Sequence, residues 1–420
     1  MKYPPYHISH LPLHETLQMP SLDTSQDGHY LVLWWKDIPL GHVYIMPKRP
    51  LSTAAYYKKL ADAIRPTLRY YVGGRELLST PWEQWIAQHN QQAWNKWMQT
   101  ILAPVLPEHL PATVPVSVII CTRNRASYLQ RCLEMLKTLE CLPQEVIVVD
   151  NAPSDNSSEE VTKQYPKVRY CREVRPGLDI ARNTGIKAAS AEIVAFLDDD
   201  VVAHPLWVYR IWEAFQNPET TAVTGLVFAS QLQTEAQQIF ERHWSFNRGY
   251  ENKVYDHSYF EDHLELGPPV WEIGAGANMA FRRSVFEKTG YFDELLDAGA
   301  AGCNGDSEMW FRILAAGYKI RYAPLAIVHH EHRREMEALK KQIFNYMRGF
   351  AAAALFQQQR VNRADYKKRL IFKHPFYFAR LIKKGFPFYK FRYRTVWLEM
   401  GGVLSGVLYY LRNRHNSSVK

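Results

Sequence analysis

Three consecutive carboxylates, Asp198, Asp199 and Asp200, follow directly on the apolar run Ile193–Leu197. Carboxylates this close repel one another unless a cation offsets their charge. Hard oxygen donors suit Mg2+ or Mn2+, ions usually held by one or two carboxylates plus substrate phosphates. An apolar run of this length reads as a strand buried on both faces. Alternation along the strand sends Asp198 and Asp200 to one side and Asp199 to the other. The competing reading is a solvated acidic turn capping a helix that opens at Val201–Pro205, with Pro205 in its first turn. Taken alone, the triplet favours the cap.

The elements around the triplet decide between the two. Val116–Cys121 reads as a buried strand, and Ala126–Leu139 as a helix with Leu129, Cys132, Leu133 and Leu136 along one face. Glu145–Val149 is the next strand and ends at Asp150; Val168–Cys171 is another. Gly177–Ala189 reads as a helix, and Ile193–Leu197 closes the series. Strands separated by helices predict a parallel sheet with right-handed crossovers. In such sheets ligands sit beyond the carboxyl ends of the strands. Thr122-Arg123-Asn124, Asp150-Asn151 and the triplet all fall there. Polar groups from three strand ends converge on one rim, which an isolated acidic turn does not predict.

Val118–Leu129, Val148–Asn151, Ala181–Gly185 and Phe196–Asp200 together resemble the inverting nucleotide-sugar glycosyltransferases of family 2. Gly276–Arg282, Gly290–Glu294 and Gly305–Arg312 look like the acceptor-side motifs of the same family. The resemblance runs from about Val114 to Arg334. It implies the α/β GT-A fold, a Rossmann-like, mostly parallel sheet flanked by helices. It also implies transfer of a sugar from a nucleotide-diphosphate donor, UDP-sugar favoured, to a hydroxyl acceptor with inversion, in polysaccharide or glycolipid synthesis.

The same resemblance assigns roles. Asp150 would accept a hydrogen bond from the base, Thr122 and Arg123 would line the nucleoside pocket, and Arg182 would face the nucleotide. Asp198 and Asp200 match the DxD motif: Asp200 binds the Mn2+ or Mg2+ that bridges the diphosphate, and Asp198 points to the ribose or the outer shell of the ion. Asp199 is the least needed of the three. His330, after Ala326–Val328, matches a further ligand or phosphate contact, with His329 and His332 as close rivals. Asp306 matches the base that deprotonates the acceptor, although Gly305 stands where the family commonly has Glu. Gly276, in the loop Gly274–Asn278, permits close backbone approach and, with Trp271 and Glu272, is expected to border the sugar and acceptor sites. Each assignment has a plainer rival: a turn residue at Asp150, a surface helix arginine at Arg182, a surface histidine at His330, a helix N-cap at Asp306.

The remainder bounds the setting. At 420 residues, with 47% hydrophobic and 22% charged residues, the chain has ordinary globular composition. Residues 1–112 read as a small α+β accessory domain, with strands at Tyr30–Trp35 and His42–Met46, a turn at Asp37–Gly41 and a helix over Ala54–Leu68. Residues 113–335 read as the catalytic domain and 336–420 as a helical extension. Five cysteines without paired spacing, and the Met1–His7 start without an apolar core, predict a cytoplasmic setting. The net charge of +9 is uneven: residues 361–420 hold 14 Lys and Arg against 2 Asp and Glu, or +12, leaving −3 for the rest. Basic and aromatic residues interleave in this tail, which suits peripheral attachment to an anionic inner leaflet, where a lipid-linked rather than a free glycan acceptor would be found, or nearly as well packing on the catalytic domain. A nucleic-acid binder does not explain the acidic rim. A metal-dependent nucleotidyltransferase, or a catalytically inactive sugar- or nucleotide-binding relative, stays open beside the transferase.

Overall fold

The computed structural model describes residues 4–416; the first three residues of the Met1–His7 segment and the last four of the basic tail lie outside them. The chain opens with a three-stranded sheet: β1 (Tyr6–Pro12) runs parallel to β2 (Gly28–Trp35), which pairs antiparallel with β3 (Ile38–Ile45). Four helices follow: α1 (Thr53–Val72), α2 (Gly74–Ser79), α3 (Trp82–Ala87) and α4 (Gln91–Leu102). Both faces of β2 are covered. Leu31, Leu33 and Trp35 pack with these helices, whereas Tyr30, Val32 and Trp34 join the core of the main sheet. Of the segment Asp37–Gly41, expected to be a turn, only Asp37 is turn, together with Lys36 before it, and Ile38 already pairs with Trp35.

The main sheet is built by β4 (Thr113–Thr122), α5 (Ala126–Leu136), β5 (Leu142–Asn151), α6 (Ser157–Lys163), β6 (Val168–Glu173), α7 (Leu178–Ala188) and β7 (Ile193–Leu197). β6, β5, β4 and β7 lie side by side and parallel, as the alternation predicts. Alternate residues of β4 feed two cores. Val116, Val118 and Ile120 pack with Leu129 and Leu133 of α5, and Ile119 packs with Ala181 and Ile186 of α7. Burial on both faces is why the strand reads as a continuous apolar run.

β7 does not close the sheet. β8 (Val201–Ala203), α8 (Trp207–Ala214), β9 (Thr220–Ala229), α9 (Glu235–His243), β10 (Lys253–Tyr255), α10 (His257–Asp262), β11 (Asn278–Arg282), α11 (Val285–Thr289), α12 (Gly305–Ala315) and β12 (Lys319–His330) follow. They extend it to nine strands in the order β10-β12-β9-β11-β7-β4-β5-β6, with β8 paired to β12. β11 is antiparallel to both its neighbours, while β9 and β12 again run with β7. The helix expected to open at Val201 is instead β8, because Val201 and Val202 pair with His330 and His329, and α8 starts only at Trp207.

The tail continues through α13 (Met336–Arg360), α14 (Tyr366–Lys368), α15 (His374–Gly385) and α16 (Val396–Asn413). α16 lies close along α13 at Gly402 and Gly406, where a Cβ would come within 2.6 Å of the Phe344 carbonyl oxygen and 2.2 Å of that of Arg348. α13 is tied by buried ion pairs from Arg360 to Glu308 of α12 and to Asp293 of the segment that precedes it. Among the described residues, no helix is long and apolar enough to cross a membrane.

Candidate active site

The carboxyl ends of β4, β5 and β7 open into a cavity of about 1170 Å³, where parallel-sheet geometry predicts a ligand. Eight of the nine residues singled out from the sequence line it. Thr122 and Arg123 stand at the end of β4, Arg182 on α7, and Asp198 and Asp200 after β7. Gly276 precedes β11, Asp306 begins α12 and His330 ends β12. Trp271 and Glu272 border the cavity as well. The ninth, Asp150, is fully buried behind the wall, and Asn151 lines the cavity beside it. Tyr170 donates its hydroxyl to Asp150 Oδ2 at 2.9 Å, while Oδ1 finds no partner among the described residues. Burial pushes this carboxyl above its ordinary pKa.

The three consecutive acids have three different environments. Asp199 Oδ2 accepts from the Thr122 hydroxyl at 2.7 Å, and Arg125 Nη1 lies 2.6 Å from Oδ1. The acid that looked least needed therefore ties the end of β4 to the end of β7. Burial pushes the Asp199 pKa up to about 6 in spite of Arg125. Asp198 faces the cavity, and burial followed by the charge of Asp200 pushes its pKa up to about 7. Burial also opposes the charge on Asp200. Its neighbours His330, Arg125 and Arg333 outweigh burial and hold the pKa below the usual carboxylate value, with Arg125 donating Nη2 to Oδ2 at 3.0 Å.

His330 Nε2 lies 3.7 Å from Asp200 Oδ1. Its Nδ1 is 3.0 Å from Nδ1 of His332, whose Nε2 is 2.9 Å from Glu241 Oε2 on α9. The carboxylate can only accept, so the pattern assigns the His332 proton to Nε2 and leaves its Nδ1 to accept from His330 Nδ1–H. The lone pair on His330 Nε2 is then left facing Asp200. Burial pushes the His330 pKa down to about 4, so the ring is neutral near pH 7. A neutral imidazole whose other N–H is held by a hydrogen-bond partner is the form that binds metals. Among the described residues no three His, Cys, Asp or Glu side chains converge to hold an ion by themselves. Asp200 and His330, with Asp198 adjacent, fit Mn2+ or Mg2+ on the usual terms for these ions, with the remaining ligands supplied by phosphate and water. Alternation along β12 turns His329 the other way, onto Phe228 and His10, and His332 sits behind His330.

Asp306 is half-buried at the N-terminus of α12, where its Oδ1 accepts the backbone N–H of Ser307 at 2.6 Å. Asn304 makes no side-chain cap there. Burial and then Asp297 raise the Asp306 pKa, while Arg182 pulls it back. Arg182 is not a surface arginine: it is 4% exposed and pairs with Asp179 at 2.8 Å and Asp297 at 2.6 Å. A Cβ on Gly276 would stand 3.0 Å from both Arg182 Nη2 and Asp306 Oδ2, so glycine keeps the backbone clear between them. Glu308, two residues past Asp306, lies outside the cavity wall and pairs with Arg312 and Arg360. A Cβ on Gly305 would fall 2.0 Å from Asp179 Oδ2. A carboxylate from α7 thus occupies the space that any side chain at position 305 would need.

Arg125, Asp179, Asp297 and Glu241 were not singled out from the sequence. Arg125 stands inside a noted motif and could have been. Asp297 and Glu241 reach their partners, Arg182 and His332, across 115 and 91 residues of chain and leave no local signal.

Six strands running one way, helices on both faces and a cavity at the strand ends match the GT-A fold class. Residues 117–290 match Glycosyl transferase family 2. The glycosyltransferase AglE of Haloferax volcanii is 30% identical over 242 residues, covering 56% of this chain and 72% of that protein. The chain belongs to glycosyltransferase family 2. The pre-mycofactocin glycosyltransferase of Mycobacterium tuberculosis is 27% identical over 239 residues, 55% of this chain and 45% of that protein. The chondroitin synthase of Escherichia coli is 28% identical over 242 residues, 51% of this chain and 34% of that protein. The chain thus spans less than half the length of these last two. A solved mannosyltransferase of Pyrobaculum calidifontis, in complex with GDP-Man and Mn2+, aligns over 74% of this chain and 78% of its own, with 17% identity and a TM-score of 0.42.

Proposed function

We propose that the protein transfers a sugar from a nucleotide-diphosphate donor, UDP-sugar favoured, to an acceptor hydroxyl with inversion, in polysaccharide or glycolipid synthesis. The observation that carries this reading is the convergence of Asp198, Asp200, His330, Arg182 and Asp306 on one cavity at the strand ends. Residues 113–335 are the catalytic domain in this reading, residues 1–112 an accessory domain and residues 336–420 an extension placed at the cytoplasmic leaflet.

Thr122 and Arg123 hold the nucleoside, and the unpartnered Oδ1 of Asp150 accepts from the base if the wall opens to it. Asp200 and His330 hold Mn2+ or Mg2+, with Asp198 as the adjacent carboxylate. A bound ion there supplies Lewis acidity to the departing diphosphate. Asp306 takes the acceptor proton as the acceptor oxygen bonds to the anomeric carbon. The bond to the diphosphate oxygen breaks on the opposite face, so the configuration inverts. Burial keeps Asp306 more basic than a free carboxylate, which favours this step.

The test is transfer and donor hydrolysis across a panel of nucleotide sugars, with and without Mn2+. Asp306→Asn should lower the rate by roughly 100-fold or more while nucleotide-induced thermal stabilisation persists. Wild-type rates in the variant, or equal rates after chelation, refute the mechanism.

A further inference from the structure

The end of the chain carries a surface that the chemistry above leaves unused. Of 18 exposed large apolar side chains among the described residues, 10 lie between Ile371 and Leu411. Phe376 is 77% exposed, Phe386 73% and Phe388 74%. Apolar side chains scattered singly over a surface need no partner, but a concentration of aromatics does. On α16 the exposed residues Trp397, Leu404, Leu408 and Leu411 fall at helical spacing on one stripe, while Gly402 and Gly406 face α13. Tyr389 touches Trp397, with ring centroids 5.9 Å apart, and so joins the Phe386–Phe388 turn to that stripe.

Cations are interleaved with these apolar groups. Lys373, Arg380, Lys383 and Lys384 are exposed and form no ion pair among the described residues. Their charge selects among possible occupants. A second copy would bring these cations against their own duplicates, a like-charge contact that opposes pairing. A nucleic-acid duplex would engage the cations and leave the aromatic side chains in water, and a single strand would stack on the rings but leave Ile371 and the leucine stripe of α16 exposed. An anionic bilayer satisfies both, with aromatics in the headgroup boundary and cations on lipid phosphates.

The position of this surface relative to the cavity gives it a purpose. Arg369, Lys373, His374 and Tyr377 form part of the cavity wall, on the same short segment that exposes Ile371, Phe372 and Phe376. We propose that this face rests on an anionic bilayer and holds the cavity mouth against it, so that the acceptor is lipid-borne and enters from the membrane side. The acceptor assignment rests on the transferase reading of the cavity; the membrane contact does not.

The test uses the full chain with phosphatidylcholine vesicles, with and without phosphatidylglycerol. Wild type should sediment with the anionic vesicles, release in high salt, and show vesicle-dependent protection from hydrogen exchange over 369–377 and 386–388. Phe376→Ser with Phe388→Ser should weaken sedimentation about ten-fold or more without altering thermal stability. Absence of vesicle binding overturns the proposal, as does a lipid-free dimer with this face protected. Protection at 386–411 that spares 369–377 overturns the placement of the mouth. Nucleotide-induced thermal stabilisation, measured on the same samples, separates the two readings. Its loss sinks the transferase reading, whereas its presence without vesicle binding sinks this one alone.

Discussion

Arg360 closes α13 at its C-terminal end and reaches two carboxylates of the catalytic half. Its Nη2 lies 2.5 Å from Asp293 Oδ2, and its Nη1 pairs with Glu308; both acids have side chains 0% exposed. Arg312 also pairs with Glu308 at 2.8 Å, so the four groups sum to zero charge. Replacing Arg360 by Met keeps much of the volume but leaves the cluster one buried negative charge in excess. Removing one partner of a buried pair typically costs about 3–5 kcal/mol, because the stranded charge has lost its water as well as its mate. A unit the size of this chain melts with an entropy near 0.9 kcal/mol/K by the usual per-residue value, so the midpoint should fall by roughly 3–6 °C. Adding Asp293→Asn to Arg360→Met restores neutrality and should recover at least half of that loss. Differential scanning calorimetry at neutral pH reads both. A fall below about 1 °C, or a double variant no more stable than the single one, refutes the idea that charge balance holds α13 to α12.

The remaining predictions concern the site and its surroundings. Glu241→Gln gives His332 a partner that can donate as well as accept, so the tautomer of His330 is no longer fixed; Mn2+ affinity by titration calorimetry should weaken roughly 10- to 100-fold, and an unchanged affinity counts against the relay. Gly305→Ala places a methyl where Asp179 Oδ2 now lies and should destabilise the protein by about 1–3 kcal/mol, with a wild-type melting point as the contrary result. Burial, then His10 and His204, push the His329 pKa down to about 4. The unfolded chain, with an ordinary value near 6.5, therefore binds more protons below that pH, and this histidine removes stability as pH falls from about 6.5 towards 4, by up to ~3 kcal/mol. Asp198 and Asp199, raised to about 7 and about 6, act in the opposite sense over the same range. The clean measurement is consequently the difference between wild type and His329→Gln, which should shift in favour of the variant on acidification; a pH-independent difference sinks it.

What could be read from the sequence follows from where each interaction is made. Val116–Cys121, Glu145–Val149 and Ile193–Leu197 announce strands because burial on both faces leaves mostly apolar runs. The eight cavity residues could be named because each lies at the end of such a strand or inside a motif. Strand order could not be read: β11 enters antiparallel between β7 and β9, and nothing near Asn278–Arg282 specifies those neighbours. Val201–Ala203 reads as the opening of a helix for the same reason, since its strand state is imposed by β12, over 120 residues later.

The three acids of the triplet do three different things. Strand alternation separates Asp199 from Asp198 and Asp200, and the structure uses that separation. Asp199 turns to Thr122 and Arg125, where it performs a structural task. Asp200 is held ionised by cations already in the protein. Asp198 remains as the acid whose charge the protein compensates least, with a pKa raised to about 7. Three adjacent carboxylates, two buried and one half-buried, with cations assigned to two of them form a poor arrangement for stability alone. They are a reasonable one if a cation completes the set on binding, together with the neutral His330 nitrogen held ready by Glu241 and His332. The motif announces acids at a strand end; which of them is tied into the fold and which is left facing the cavity is decided by Arg125, Arg333 and Glu241, none of which the acid triplet contains.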